Sequence, residues 1–453
     1  MRQNGQWDRV AIAAFVLLAI CFLIGGASQK NALRLTLIEL AALPVLGLAL
    51  LRAWDRTVWT TNGFAIGILA AAAAIPLIQL IPLPPGIWGA LPGREGGVLA
   101  LEIAGLSPGW APTSVAPDMT WRSFLALIPA AALFLAVLTT GPSTHRGYVH
   151  LIFVALATSF LLGLAQAMTG DPFHPWPTTD RGSVSGLFAN RNHLATLCLI
   201  ALPLAAAMVG TGARRGSEGR TAFWIGLAVV AVAVVTVAAT RSRAGVGLLG
   251  PALAFSAMII WTAAGKARLG PAALGLAGVA GAALLLVATL GLGPILDRFD
   301  SSAPPEARFE RWPTVAEAAQ AYLPTGAGFG SFERVYRSVE TLEELDATSF
   351  NRAHNEYLET WLEGGWLSVG VLIAFLIWFG RRAWAAWRAP AGSTADMARA
   401  ASVGILMILM HSAVEFPLRT VTVTAVLAVL AAMLELSGGD PPETTRRRSR
   451  RPA

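Results

Sequence analysis

The stretch AHNEYLETWLEGG, residues 353–365, sets His354 and Asn355 beside a run of glutamates, directly before an apolar segment that starts near Trp366. Histidine is the side chain best placed to exchange a proton near neutral pH. An ionisable group at the edge of a hydrophobic segment is costly unless something uses it. A second stretch, ATRSRAG, puts Arg241 and Arg243 in a very tight turn between two apolar runs. Arginine at a helix mouth can snorkel to lipid headgroups. The pairing Arg-Ser-Arg, with no other polar residue in the turn, points instead to an anionic ligand, because a guanidinium stays charged and forks onto two oxygens at once.

The elements that must position these residues are membrane-spanning. The 453 residues are 55% hydrophobic and only 13% charged, which excludes an ordinary soluble chain. Apolar runs long enough to cross a bilayer core of roughly 30 Å recur along the chain. They are apolar all round rather than striped, unlike the helices of a soluble bundle. Twelve are expected, at about 10–26, 33–51, 63–83, 123–140, 148–168, 193–210, 222–239, 244–264, 270–292, 366–380, 398–414 and 420–436. The first follows Arg2 and Arg9 and ends in Gly25-Gly26-Ala27-Ser28, like a secretion signal. With eleven spans after it, it reads as a retained anchor. Cys21 and Cys198 fall inside spans and read as buried thiols.

The net charge of +7 would suggest nucleic acid in a soluble protein, but here the distribution of Lys and Arg decides. With the amino terminus inside, that terminus (Arg2 and Arg9), the even-numbered connections and the tail Arg446, Arg447, Arg448, Arg450 and Arg451 hold more than half of the basic residues, so both termini are expected inside. The tail, 437–453, reads as a disordered topology and anionic-lipid signal. Three polar regions then fall outside: about 84–122, 169–192 and 293–365. The first holds Trp88, Trp110 and Trp121, which suit interfacial anchoring. The last is long enough to have its own fold, and PPEARFERWPTVAEAAQAYL within it has helical spacing.

Other signals are weaker. TGAGFGSF has the glycines of a nucleotide fingerprint but no strand before it, so a turn bringing backbone close to a neighbour is the better reading. His411 and Glu415 in HSAVE are not in zinc-protease order and read as a buried helical hydrogen-bond pair. No His/Cys cluster has metal-ligand spacing, so neither metal nor cofactor is expected.

Taken in order, GLFANRNHLA (186–195), TRSRAG (240–245), RFERW with the later GAGFGSF (308–332) and AHNEYLETWLEGG (353–365) resemble the O-antigen ligase and polymerase family of bacterial envelope glycosyltransferases. The resemblance covers roughly 186–380. It implies an all-α, GT-C-like membrane fold with a partly helical periplasmic loop, 293–365, between helices 9 and 10. It divides the chain into an N-terminal bundle 1–185, a ligase-like core 186–380 and C-terminal helices 381–436. It also implies metal-independent transfer of a glycan from an undecaprenyl-diphosphate carrier to an acceptor hydroxyl at the periplasmic face of the inner membrane.

By motif position the resemblance gives Arg243 and Arg308 to the diphosphate, with Arg241 and Arg311 as neighbours able to exchange roles. The leaving group is already a stable anion and needs positive charge more than a proton. The attacking hydroxyl must lose its proton, and His354 is the expected base. Asn355 and Glu356 are expected to position it, with Arg191 and Asn192 lining the same cavity. Arg191 stands where the family commonly has Pro. The acceptor is open between lipid A core, a second glycan and a protein hydroxyl. The rival reading is a lipid-linked sugar transporter or flippase, which would use the in-span polar residues Arg34, Glu39, Gln79 and Gln166 near the midplane.

Overall fold

The computed structural model describes residues 8–27, 32–54, 56–169, 173–176, 183–264, 307–342, 344 and 349–436, with the isolated positions 278 and 281. It is an all-helical membrane bundle. Eight segments among these residues are long and apolar enough to cross a membrane; two of them, Pro117–Thr140 and Arg191–Thr240, each join two successive α-helices. The apolar helices Arg9–Ile24 and Val421–Glu435 are shorter. The expected ninth span, 270–292, lies outside the described residues apart from those two positions, and so does the tail.

The Arg191–Arg215 helix is the hub. It is buried on every side from His193 to Gly212 and packs against Arg220–Thr240, Arg243–Ala264 and Ser393–Ser412. Its uniformly apolar sequence needs such a place, since a helix apolar all round must be surrounded. Peripheral helices instead turn Leu33, Leu37, Leu40, Leu161, Ile373 and Ile377 outward, the pattern of a surface solvated by lipid.

Two faces follow from the helix ends. On one lie the connections after Ile24, Gln79, Thr169, Thr240 and Ser412, together with the long segment that precedes Glu356. Gly26 O accepts from Ala189 N at 3.0 Å, and Gly25 O accepts from Thr422 N at 3.4 Å, so these ends are physically joined. The opposite face is rich in arginine and closed by ion pairs, among them Arg214–Asp396 at 2.9 Å, Arg382–Glu435 and Arg52–Asp8.

The loop after Gln79 forms a two-residue antiparallel ladder, Pro82–Leu83 with Ala111–Pro112, and the helix Glu95–Ile103. The segment before Glu356 folds as Ala307–Glu310, Trp312–Ala321 and Phe332–Val339, around a small core of Val315, Ala319, Phe332, Tyr336, Phe350 and Leu362. The helical spacing read after Pro304-Pro305 is therefore observed. The tenth span differs from its expected 366–380. Its helix runs Glu356–Arg388, because Asn355 caps it a full two turns before the apolar run, and it breaks at Gly365, where φ is +58°.

Gly365 sits against the glycine-rich turn. A Cβ on it would come within 2.2 Å of Pro324 O, and one on Gly326 within 2.5 Å of Glu363 O. Only glycine fits both the positive φ and the approach. Gln79, last residue of its helix, clamps the same turn: its Nε2 donates to Thr325 O at 3.2 Å and Glu363 O at 2.9 Å, and its Oε1 accepts from Phe329 N at 3.1 Å. Gly365→Val is expected to lower stability by about 3 kcal/mol or more, the sum of φ strain and overpacking. Thermal unfolding in detergent, with proteolysis of the 307–355 segment as a local readout, checks this; an unchanged melting temperature would show that the kink is not required.

Candidate active site

His354 sits one residue before the N-cap of the Glu356–Arg388 helix with φ +49°, one of two non-glycine residues at positive φ among those described. Its neighbours fix that conformation. Ala353 donates its N–H to Glu359 Oε2 at 3.1 Å and accepts Trp312 Nε1–H on its carbonyl at 2.9 Å. Asn355 is the N-cap, its Oδ1 accepting from Tyr357 N and Leu358 N, both at 3.1 Å. Asparagine at this place satisfies two of the amides a helix start leaves unpaired. Asn355 thus holds His354 through the backbone. Trp312 ties the RFERW motif to the residue just before the histidine.

The ring of His354 meets a carboxylate from another part of the chain. His354 Nδ1 lies 3.3 Å from Glu415 Oε2, and Asn192 Nδ2 donates to Glu415 Oε1 at 2.5 Å. Glu415 is fully buried, whereas the His354 side chain keeps 26% of its surface accessible. Against an ionised carboxylate, which only accepts, a neutral imidazole donates through the nearer nitrogen and keeps its lone pair on the other. Phe416 packs edge-on to the ring at 4.8 Å, and Phe350 stands 6.0 Å away on another side. His193 packs on Phe416 in turn at 5.2 Å, and Thr196 Oγ1 meets His411 Nδ1 at 2.8 Å.

Glu415 is the residue that sequence reasoning missed as a partner of His354. It was expected to pair along a helix with His411, but that helix ends at Ser412, and Glu415 lies in the turn beyond. The one available signal was a lone acid between apolar runs at the outer face, with no basic neighbour before Arg419.

The arginines divide. Arg191 opens the central helix behind Asn190, whose Oδ1 accepts from Asn192 N at 2.8 Å; Asn192 reaches Glu415, and Arg191 stands next to it at the helix start. Arg243 opens its helix behind Ser242, which caps Gly245 N at 3.0 Å. Gly245 lets this helix approach closely, since a Cβ there would lie 2.7 Å from Ala195 Cβ. The starts bearing Arg243 and Arg191 are thereby adjacent. Arg241 is exposed in a left-handed turn at φ +52°. Arg311 is only 7% exposed; it donates to Glu344 O at 2.5 Å and stacks over Phe350 at 4.9 Å. Its guanidinium is thus engaged within the loop's own core. Arg308 belongs to the Ala307–Glu310 turn, and its side chain lies outside the described residues.

The glutamates after His354 form a buried ionic face. Glu356 accepts from Ser412 Oγ and, at 2.7 Å, from Leu418 N, so it braces the following turn rather than the imidazole. Glu359 pairs with Arg352 at 2.6 Å and Arg419 at 3.1 Å. Glu363 pairs with Arg419 at 2.9 Å and accepts from Phe332 N at 3.2 Å. Burial works to lower the Arg419 pKa, but Glu359, Glu363 and Glu356 outweigh it and hold it above the ordinary value. Arg419→Gln leaves Glu363 without its paired cation and Glu359 with Arg352 alone, and is expected to cost about 3–5 kcal/mol. Denaturation of the purified variant checks this; a loss below about 1 kcal/mol would mean that the cluster is not what joins these elements.

A bundle of apolar helices with a carboxylate-bound histidine and helix-start arginines at one end defines a polytopic membrane protein with a polar candidate site at one face. Residues 227–373 match the family model described as O-Antigen ligase, which supports an assignment to the O-antigen ligase/polymerase family. The match takes in Arg241, Arg243, Arg308, Arg311 and the 353–365 stretch, while Arg191, Asn192 and Glu415 lie outside it. A search of curated proteins found no match.

Proposed function

We propose that the protein transfers a glycan from undecaprenyl diphosphate to a hydroxyl of an envelope acceptor, with His354 as the base and Glu415 as its positioning partner. The observation that carries this reading is the Asn192–Glu415–His354 chain of contacts; with Nδ1 turned to Glu415, Nε2 is the nitrogen assigned to take the proton. A base so held takes the proton as the hydroxyl attacks the anomeric carbon, and the buried carboxylate stabilises the imidazolium that forms. The glycosyl–phosphate bond breaks as the new glycosidic bond forms, and the carrier diphosphate leaves as an anion. Arg243 and Arg308 take that charge, with Arg191 and Arg241 alongside; Arg311 serves mainly to shape the loop. Attack opposite the leaving group inverts the anomeric centre.

The arrangement is read as GT-C-like, with twelve spans, a metal-free reaction and the His354 face in the periplasm. The orientation rests on the arginine-rich opposite face, which the positive-inside rule assigns to the cytoplasm together with both termini. The acceptor follows the family: lipid A core for a ligase, a second carrier-linked glycan for a polymerase. Transport is disfavoured because three of the four in-span polar residues, Arg34, Gln79 and Gln166, bind loops. Gln166 Oε1 accepts from Ser185 N and Gly186 N, both at 3.0 Å, Arg34 donates to Pro175 O at 3.1 Å, and Gln79 holds the glycine turn.

Reconstitution with a carrier-linked glycan and separate candidate acceptors tests the proposal. His354→Ala is expected to reduce turnover by about 10²–10⁴-fold without loss of folded protein; near-normal transfer would remove His354 from the reaction. Glu415→Gln is expected to reduce kcat by about 10²-fold with KM little changed, and Glu415→Asp to recover part of it. Equal losses in both variants, or a rise in KM alone, would assign Glu415 a purely structural role. Arg243→Lys is expected to recover little of the donor binding lost in Arg243→Ala, because an ammonium cannot fork. Full activity in the Lys variant would defeat the bidentate argument.

A further inference from the structure

A cavity lies at the end of the bundle opposite His354, among the starts of His145–Thr169 and Ser393–Ser412 and the turn joining Arg191–Arg215 to Arg220–Thr240. Its volume is about 290 Å³. Arg146 and His150, one helical turn apart, face it from one side, and Arg215 from another. Glu218 is the single acid among its lining residues. Its walls are apolar, formed by Val149, Met208, Ala222, Ile225 and Met397. Ile225 is 41% exposed and its neighbour Trp224 59%, so the wall opens sideways onto the lipid-facing surface.

The cavity is held rigidly. Gly212 and Gly219 approach so closely that a Cβ on Gly219 would fall 2.2 Å from Gly212 O, which pins the turn carrying Arg215 and Glu218. Asp396, behind the wall, is already matched by Arg214 at 2.9 Å and Arg399 at 2.8 Å, with Thr211 Oγ1 at 3.4 Å. Among the described residues Arg146 and Arg215 have no such carboxylate partner, and both are exposed. Two guanidiniums and an imidazole over an apolar slot open to the bilayer have the chemistry of a phosphate ester with a hydrocarbon tail. The volume sits near the lower end of small-ligand sites, about 300 Å³, and suits a headgroup rather than a whole lipid.

We propose that this cavity binds the headgroup of an anionic phospholipid, with Arg146 and Arg215 on the phosphate and the acyl chains leaving past Ile225. The proposal does not depend on the reaction assigned to His354. The test is native mass spectrometry of the full chain in detergent with phosphatidylglycerol or phosphatidylcholine, paired with the thermal shift each lipid produces. Wild type is expected to retain phosphatidylglycerol at least about tenfold better, equivalent to about 1.4 kcal/mol. Arg146→Ala/Arg215→Ala should abolish the preference, and so should Ala222→Phe, which keeps both arginines and fills the slot. Arg388→Ala, on the same face but outside the cavity, should keep it. Equal retention of the two lipids, an equal loss in Arg388→Ala, or a preference surviving Ala222→Phe would overturn the proposal. Displacement of the lipid by millimolar inorganic phosphate would overturn the lipid assignment in favour of a free-anion site.

Discussion

Arg419 stands between Glu359 and Glu363, and the placing of the candidate base depends on that contact. The helix that follows His354 carries three glutamates on one face before it reaches its apolar run, and carboxylates there cannot face lipid. They turn inward, where Arg352 and Arg419 neutralise them. Arg352 and Ala353 belong to the chain that delivers His354, and both bind Glu359. Arg419 lies four residues after Glu415, in the short turn before the last helix. One buried cluster therefore sets both sides of the His354–Glu415 contact, although neither residue belongs to it.

The glycine-rich turn belongs to the same construction. Backbone near a membrane must find its hydrogen bonds within the protein, and TGAGFGSF finds them in three places. Gly328 N donates to Glu363 O, Ala327 N to Leu362 O, and Phe329 N to Gln79 Oε1. Its glycines are needed so that the turn can lie flat on the kink at Gly365. The resemblance to a nucleotide loop is one of composition, and the contacts are with the protein's own helix.

Much of this was legible in the sequence, for physical reasons. Apolar runs announce spans because lipid penalises any exposed polar backbone, and the order of polar motifs announces a shared face because helices alternate direction. What could not be read was pairing across that face. The acids of 356–363 look like a solvated run and are a buried ionic face, because their cations, Arg352 and Arg419, are recognisable as partners only once the last two helices are in place. Glu356 was expected to orient the histidine and binds Ser412 and Leu418 instead. Arg311 and Arg308 look equivalent in RFERW, yet Arg311 is the one that the loop core takes up.

The left-handed backbone of His354 explains why His and Asn are adjacent. A non-glycine residue at positive φ costs on the order of 1–3 kcal/mol and persists only where its surroundings over-determine it. Both backbone groups of Ala353 are engaged on one side, and on the other the Asn355 side chain closes the helix start. If the helix ran one residue further back, His354 would adopt helical φ and its ring would swing out of line with Glu415. Asn355 stops it there. Its cap also occupies the first free amides, so the helix end offers less positive charge to a passing anion.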